Sequence, residues 1–217
     1  MINDAAYNAT TGVLSVNATG LTAGDTIDVS KLALVGQGGT TYVLTSSNVT
    51  AASSTSFTVT LNSVDKLHAN GLFHLDGGSA LGGASYTLNA ANNWNVTTSA
   101  SADFFNAVTV SGVAAPTITS ATYDVATSRL RVTGMDFVRG PGADIAVGTL
   151  TITGQGGATY TLTGAGVEVT TSTSFMVTLS GADAAGLAAI LNKNGTSSTG
   201  ATTYNLAASD AWNSVIT

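Results

Sequence analysis

Residues 32–45, LALVGQGGTTYVLT, return as LTITGQGGATYTLT at residues 150–163. This internal repeat constrains the chain more than any other feature, because so long a period means that one folding unit is written twice. Tyr42 recurs as Tyr160, Leu61 as Leu179 and Trp94 as Trp212, each at a spacing of 118. Two tandem modules follow, residues 1–115 and 116–217. Each is long enough to bury a core unaided.

Within the repeated stretch Leu32 and Leu34, then Tyr42 and Leu44, alternate with small or polar neighbours, and Tyr160 and Leu162 alternate with Thr159, Thr161 and Thr163. A period of two marks a strand with one face on a core and the other in water. The Gly-Gln-Gly-Gly runs at 36–39 and 154–157 separate the two strands of each copy. Glycine supplies the positive φ of a tight connection, so the stretch predicts a β-hairpin. A glycine-rich loop can also cradle phosphate, but that needs a helix starting directly after the glycines, and here a Thr/Tyr strand follows.

The remaining elements also come in pairs. Residues 2–8, INDAAYN, match 118–124, ITSATYD, and Leu14 and Val16 match Leu130 and Val132, at a spacing of 116. By the hairpin the spacing has risen to 118, so a net two residues are inserted before it, where a loop absorbs them. Phe57, Val59 and Leu61 alternate as core strand residues, as do Phe175, Val177 and Leu179. The period then changes. Asn62 and Ser180 are N-cap residues with Asp65 and Asp183 three positions on, a capping-box arrangement with Asp in place of Glu or Gln. Ala69, Leu72 and Phe73, mirrored by Leu187, Ile190 and Leu191, continue at helical spacing, which predicts one short helix per module. Tyr86, Leu88 and Trp94 then match Tyr204, Leu206 and Trp212, and each tryptophan reads as a core plug.

The first module continues through DFFNAVTVSGV to a last strand near residues 107–110 and a short linker at 114–116. In the second, residues 215–217 remain to stand in for that strand. If they do not close the sheet, the second module presents an unpaired edge, which is a template for another chain. A shorter closing strand over 213–217, or a boundary cut through the repeat, is the plainer reading.

Charge excludes several partners. With six Lys and Arg residues spread singly, twelve Asp and Glu, and a net charge of −6, the chain lacks the basic surface that nucleic acid or an anionic membrane would need. It has no cysteine for disulfides or thiolate zinc. No stretch approaches the roughly 20 apolar residues of a membrane span. The start, MINDAAYNAT, has no signal-peptide pattern, and a fragment or mature form of an exported protein is expected.

No residues announce a reaction. His68 and His74 fall on or just past the helix of the first module, where Gly186 and Asn192 stand in the second, and both read as surface histidines. No Ser-His-Asp arrangement, HExxH or paired acids can be picked out, so no enzyme is expected. Calcium is the cofactor to consider, since loop Asp oxygens suit a hard cation. Its candidate ligands are Asp25 and Asp28 in the loop before the first hairpin, and Asp136 and Asp144 in the counterpart. The acids do not keep the same places: Asp28 aligns with Ala146, and Thr26 with Asp144. Thr-x-Thr runs such as 58–60 and 151–153 suit the wet face of a strand.

From Pro116, the run PTITSATYD followed by LRVTGMDF resembles the opening of immunoglobulin-like modules found in tandem in large bacterial surface proteins. The second module as a whole, through LTITGQGGATYTLT, TSTSFMVTL, LNKNGTSSTG and TTYNLAASDAW, resembles the Thr- and Gly-rich repeats of giant bacterial adhesins. The chain departs from immunoglobulins proper in lacking the Cys pair and in having a helix. The resemblance implies an all-β fold of two tandem Ig-like β-sandwich domains, export to the cell surface, and a non-catalytic role as spacer or adhesive unit. Its partners would be other copies or neighbouring repeats, and surface glycans. Two alternatives remain: a surface-layer or filament subunit that polymerises by strand-edge complementation, and a carbohydrate-binding module stacking sugars on Trp94, Trp212 or the tyrosines.

Overall fold

The computed structural model describes residues 1–213. The chain is built mainly of β-strands with two short α-helices, and it separates into two compact units, Met1–Ala114 and a second beginning at Ala115. No helix among the described residues is long and apolar enough to cross a membrane. Residues 215–217, expected to stand in for a last strand, lie outside the described residues.

The first unit runs β1 (Ile2–Asn8), β2 (Val13–Ala18), β3 (Thr26–Ile27), β4 (Leu32–Val35), β5 (Thr41–Val43), β6 (Val49–Thr50), β7 (Ser56–Thr60), α1 (Ser63–Leu72), β8 (Thr87–Ala90) and β9 (Asp103–Ser111). Seven strands form one sheet in the order β5-β4-β8-β9-β1-β2-β7, and β3 and β6 form a separate pair. β9 is the keystone. It runs antiparallel to β8 and parallel to β1, so it joins the β5-β4-β8 half to the β1-β2-β7 half.

Alternation places the core. Leu14 and Val16 of β2 are buried while Ser15 and Asn17 face water; Phe57 and Val59 of β7 and Val108 and Val110 of β9 repeat the pattern. Trp94, just beyond β8, sits 6.0 Å from Phe57 of β7 between ring centroids, although β9, β1 and β2 separate those strands within the sheet. The sheet therefore bends round its core. Trp94 is 1% exposed and donates its indole N–H to the Ser101 carbonyl at 3.1 Å, which satisfies the one polar atom of a large buried ring.

The second unit repeats the order: β10 (Thr117–Asp124), β11 (Arg129–Met135), β12 (Leu150–Thr153), β13 (Thr159–Thr161), β14 (Ser174–Thr178), α2 (Gly181–Ile190) and β15 (Asn205–Ala208). Its strands form two three-stranded sheets, β10-β11-β14 and β13-β12-β15. These correspond to the two halves that β9 joins in the first unit. Tyr123 pairs with Leu130 as Tyr7 pairs with Leu14, and Leu206 pairs with Ile152 as Leu88 pairs with Leu34.

The Gly-Gln-Gly-Gly turn has two jobs. Gly38 and Gly39, like Gly156 and Gly157, adopt positive φ between 63° and 80°. The first glycine instead makes room for the helix end: a Cβ on Gly36 would lie 2.4 Å from the Leu72 carbonyl oxygen, and one on Gly154 2.4 Å from that of Ile190. Each hairpin thus packs directly against the last turn of its helix.

The expected capping box is half made. The Asn62 side chain accepts from the Val64 and Asp65 N–H groups at 3.0 and 2.8 Å, and the Ser180 hydroxyl accepts from the Asp183 N–H at 3.1 Å. Asp65 does not reach back to the cap. Its carboxylate crosses to the hairpin exit, and the Asn62 N–H donates to the Ser46 hydroxyl instead.

Candidate functional site

The four aspartates nominated for calcium occupy separate roles. Asp25, 4% exposed, accepts from the Thr22 N–H at 2.9 Å and the Asn95 side-chain amide at 2.8 Å. Asp28 caps the single 3-10 turn over Val29–Lys31, accepting from the Ser30 N–H and hydroxyl. Its counterpart Ala146 offers no side-chain cap, and Thr149 donates its hydroxyl to the Ala146 carbonyl instead. Asp144 is fully buried and accepts from the Gly140 and Val169 N–H groups, both at 2.7 Å. Burial pushes its carboxyl up against the pull of those two donors, and Glu168 adds to the rise. Asp136 is exposed, at φ 57°. Among the described residues no three or more His, Cys, Asp or Glu side chains gather into a group that could hold a metal ion.

Two buried carboxylates that the sequence reading assigned to helix capping each accept three or more hydrogen bonds. Asp65 accepts from the Tyr42 hydroxyl at 3.0 Å, the Thr45 N–H and hydroxyl, and the Ser46 N–H and hydroxyl. Burial alone would push this carboxyl up; the bonds from Ser46, Thr45 and Tyr42 outweigh it and hold the group below the usual carboxylate range. Asp183 repeats the clasp with Tyr160 at 3.1 Å and the Thr163 N–H and hydroxyl at 2.9 and 2.8 Å. Gly164 stands where the first unit has Ser46, and the second oxygen of Asp183 is buried with no hydrogen-bond partner. These acids fasten each helix to its hairpin, a structural use of charge.

The histidines differ from expectation. His68 is half-buried and stacks on Tyr42 at 4.2 Å between ring centroids. His74 is 2% exposed rather than on the surface, because the chain leaving α1 carries Phe73 and His74 inward. Burial pushes its imidazole down, and the Leu72 backbone offsets this only in part. In the second unit Gly186 lets Tyr160 lie directly on α2, where a Cβ would be 2.1 Å from the ring.

Burial separates the two copies most sharply along β10 and β15. In the first unit Ile2, Ala5 and Tyr7 of β1 and Leu88 and Ala90 of β8 are 3% exposed or less. Their counterparts Ile118, Tyr123, Leu206 and Ala208 are only half-buried, and Ala121 is exposed. Trp212 packs its ring 5.6 Å from Phe137 and 6.2 Å from Phe175 yet stays half-buried. Among the described residues no strand pairs with the outer edge of β10 or of β15. Sequence reasoning passed over a further feature: Phe104 and Phe105 open β9 on its exposed face, 54% and 81% accessible, at an irregularity in the β8 pairing where Phe105 has φ 64°.

No protein-family model matches this chain, and a search of curated proteins finds no match.

Proposed function

We propose that the chain is a non-catalytic structural segment of an exported bacterial cell-surface or matrix protein, each unit an immunoglobulin-like β-sandwich that extends or adheres through its tandem arrangement. The observation that carries this reading is what the two copies share. The repeated residues, the Gly-Gln-Gly-Gly turn, the Asp65 and Asp183 clasps and the Trp94 and Trp212 plugs, all serve packing. What is duplicated is scaffold. The linker supports the same reading, since residues 112–116 are all that separate the end of β9 from the start of β10.

Light scattering on one purified sample, split between EDTA and millimolar calcium, tests the proposal. A monomer mass in both arms agrees with a spacer. A second reading, self-association into a layer or filament, draws on the uncovered edges of β10 and β15 and predicts particles that grow with concentration; growth only with calcium would place the ion at the contact. Sugar binding is tested in the same sample by tryptophan fluorescence. A saturable response to a glycan would replace the spacer reading with a lectin one.

A further inference from the structure

We propose that Asn194 and Gly195 form a self-modification site, where the chain converts Asn194 to isoaspartate without an enzyme and so unfastens the loop over residues 192–200 from the repeat turn. Asparagine followed by glycine is the pair most open to this reaction, because no Cβ shields the next backbone nitrogen. The chain holds the pair twice, at residues 70–71 and 194–195, and the fold treats the two differently. Asn70 and Gly71 lie in the last turn of α1 with Gly71 buried, and the Asn70 side chain accepts from the Tyr7 hydroxyl at 2.6 Å and donates to the Ala9 carbonyl at 3.3 Å. A helical ψ also keeps the Gly71 nitrogen turned away from the Asn70 side-chain carbon. Asn194 and Gly195 are exposed in a loop, and the Asn194 side chain makes no hydrogen bond among the described residues. That exposure belongs to the position in the fold. Asp76, its match at the repeat spacing of 118, is exposed in the first unit too, and Gly77 and Gly195 share a φ of 111°.

The reaction balances with water alone. The Gly195 nitrogen attacks the side-chain carbonyl carbon of Asn194 and closes a succinimide ring; the bond from that carbon to the side-chain nitrogen breaks, and ammonia leaves with the proton that Gly195 gives up. Water then opens the ring. Opening at the side-chain carbonyl gives aspartate, and opening at the backbone carbonyl gives isoaspartate, whose main chain runs through Cβ and is longer by a methylene. Either product adds a negative charge. The extra length falls inside a closed loop. The Thr199 N–H donates to the Asn192 side-chain oxygen at 3.1 Å, and the Asn192 amide donates to the Gln155 side-chain oxygen at 3.3 Å. The Gly200 N–H donates to the same Gln155 oxygen at 3.0 Å, and the Lys193 N–H donates to the Tyr204 hydroxyl at 3.1 Å. Asn194 lies between these anchors. Gln155 belongs to the Gly-Gln-Gly-Gly turn, so a longer backbone at residue 194 acts on the contact between that turn and the loop.

The intact chain is aged at mildly alkaline pH, native and in urea, then digested and mapped by mass with an isoaspartate-specific methylation assay. In the native chain conversion is expected at Asn194 and at least about tenfold more slowly at Asn70, which the helix protects. In urea the two are expected to convert alike. Amide exchange at Thr199 and Gly200 is expected to quicken about tenfold in the aged chain, as the bonds to Asn192 and Gln155 open more often. It is expected to stay unchanged in Asn194→Asp, which carries the charge without the added methylene. Asn194→Ser, aged alongside, is expected to keep both its net charge and its amide protection. An unconverted Asn194 in the native chain, native conversion of Asn70 as fast as that of Asn194, or conversion that leaves Thr199 and Gly200 as protected as before would overturn the proposal.

Discussion

The Asp65 and Asp183 clasps explain why an acid recurs at the third helical position of both units. Replacing Asp65, itself fully buried, with Ala removes the shared acceptor of half-buried Tyr42, of Thr45 and of buried Ser46. The expected loss is about 3 kcal/mol for the first unit, from charged hydrogen bonds removed and donors left unmade. Urea unfolding of Asp65→Ala measures it, and a loss near zero would contradict the clasp. The same carboxyl is held below the usual range, so its contribution is complete above about pH 4 and fades as acid protonates it. The second unit offers the converse test. Gly164→Ser places a hydroxyl where Ser46 stands, beside the unpartnered oxygen of Asp183; a Cβ there meets that oxygen at 3.3 Å, close enough to require a small shift. A gain of about 1 kcal/mol is expected from one new bond to a charged group. His74 sets a pH limit on the first unit. Its imidazole is pushed below the ordinary value, so the unfolded chain takes up the proton first as pH falls below about 6.5. Stability is complete above that pH and declines below it. His74→Asn, matching Asn192, is expected to flatten the decline between pH 6.5 and 5 when melting is followed across that range.

Among the elements, the hairpin and its helix form the working pair of each unit. Gly36→Ala drives a methyl into the Leu72 carbonyl, and Gly154→Ala into that of Ile190; neither obstacle is a flexible side chain that could swing aside. Each substitution is expected to cost its unit about 2–3 kcal/mol, the upper part of the overpacking range. Denaturant titration of the single variants decides it, and an unchanged midpoint would show that the turn can move away. Much of this layout was legible in the chain. The alternation of Leu32, Leu34, Tyr42 and Leu44 marks the hairpin, Asn62 and Ser180 mark the helix starts, and the repeated Trp94 marks the core, because each signal is local and printed twice. What was not legible depends on contacts between distant segments. The partners of Asp65 lie about twenty residues away, across the hairpin exit. The inward turn of His74 follows from where α1 ends. The placement of β9 between β8 and the first strand joins segments about a hundred residues apart, and no local pattern announces it. The calcium nomination drew on loop position alone; the structure gives Asp25, Asp28 and Asp144 backbone donors to hold.

At the scale of the whole molecule, the two copies differ among the described residues in how far their matching strands are buried. β9 covers Tyr7, Tyr86 and Leu88 in the first unit, while Tyr123, Tyr204 and Leu206 remain open to water in the second. Less apolar area is removed from water there, so the second unit is expected to melt first in a calorimetric scan. Asp65→Ala then lowers only the later transition and so assigns it. One measurement tests the central claim most directly: amide hydrogen exchange of the intact chain, comparing β1 and β8 with β10 and β15 strand by strand. The outer-edge amides of β10 and β15 are expected to exchange about 100-fold or more faster than their counterparts in β1 and β8, since among the described residues the latter are paired on both sides and the former on one. Equal protection in the two units would mean that the edges of β10 and β15 are covered as those of β1 and β8 are, and would contradict the difference in burial between the two copies.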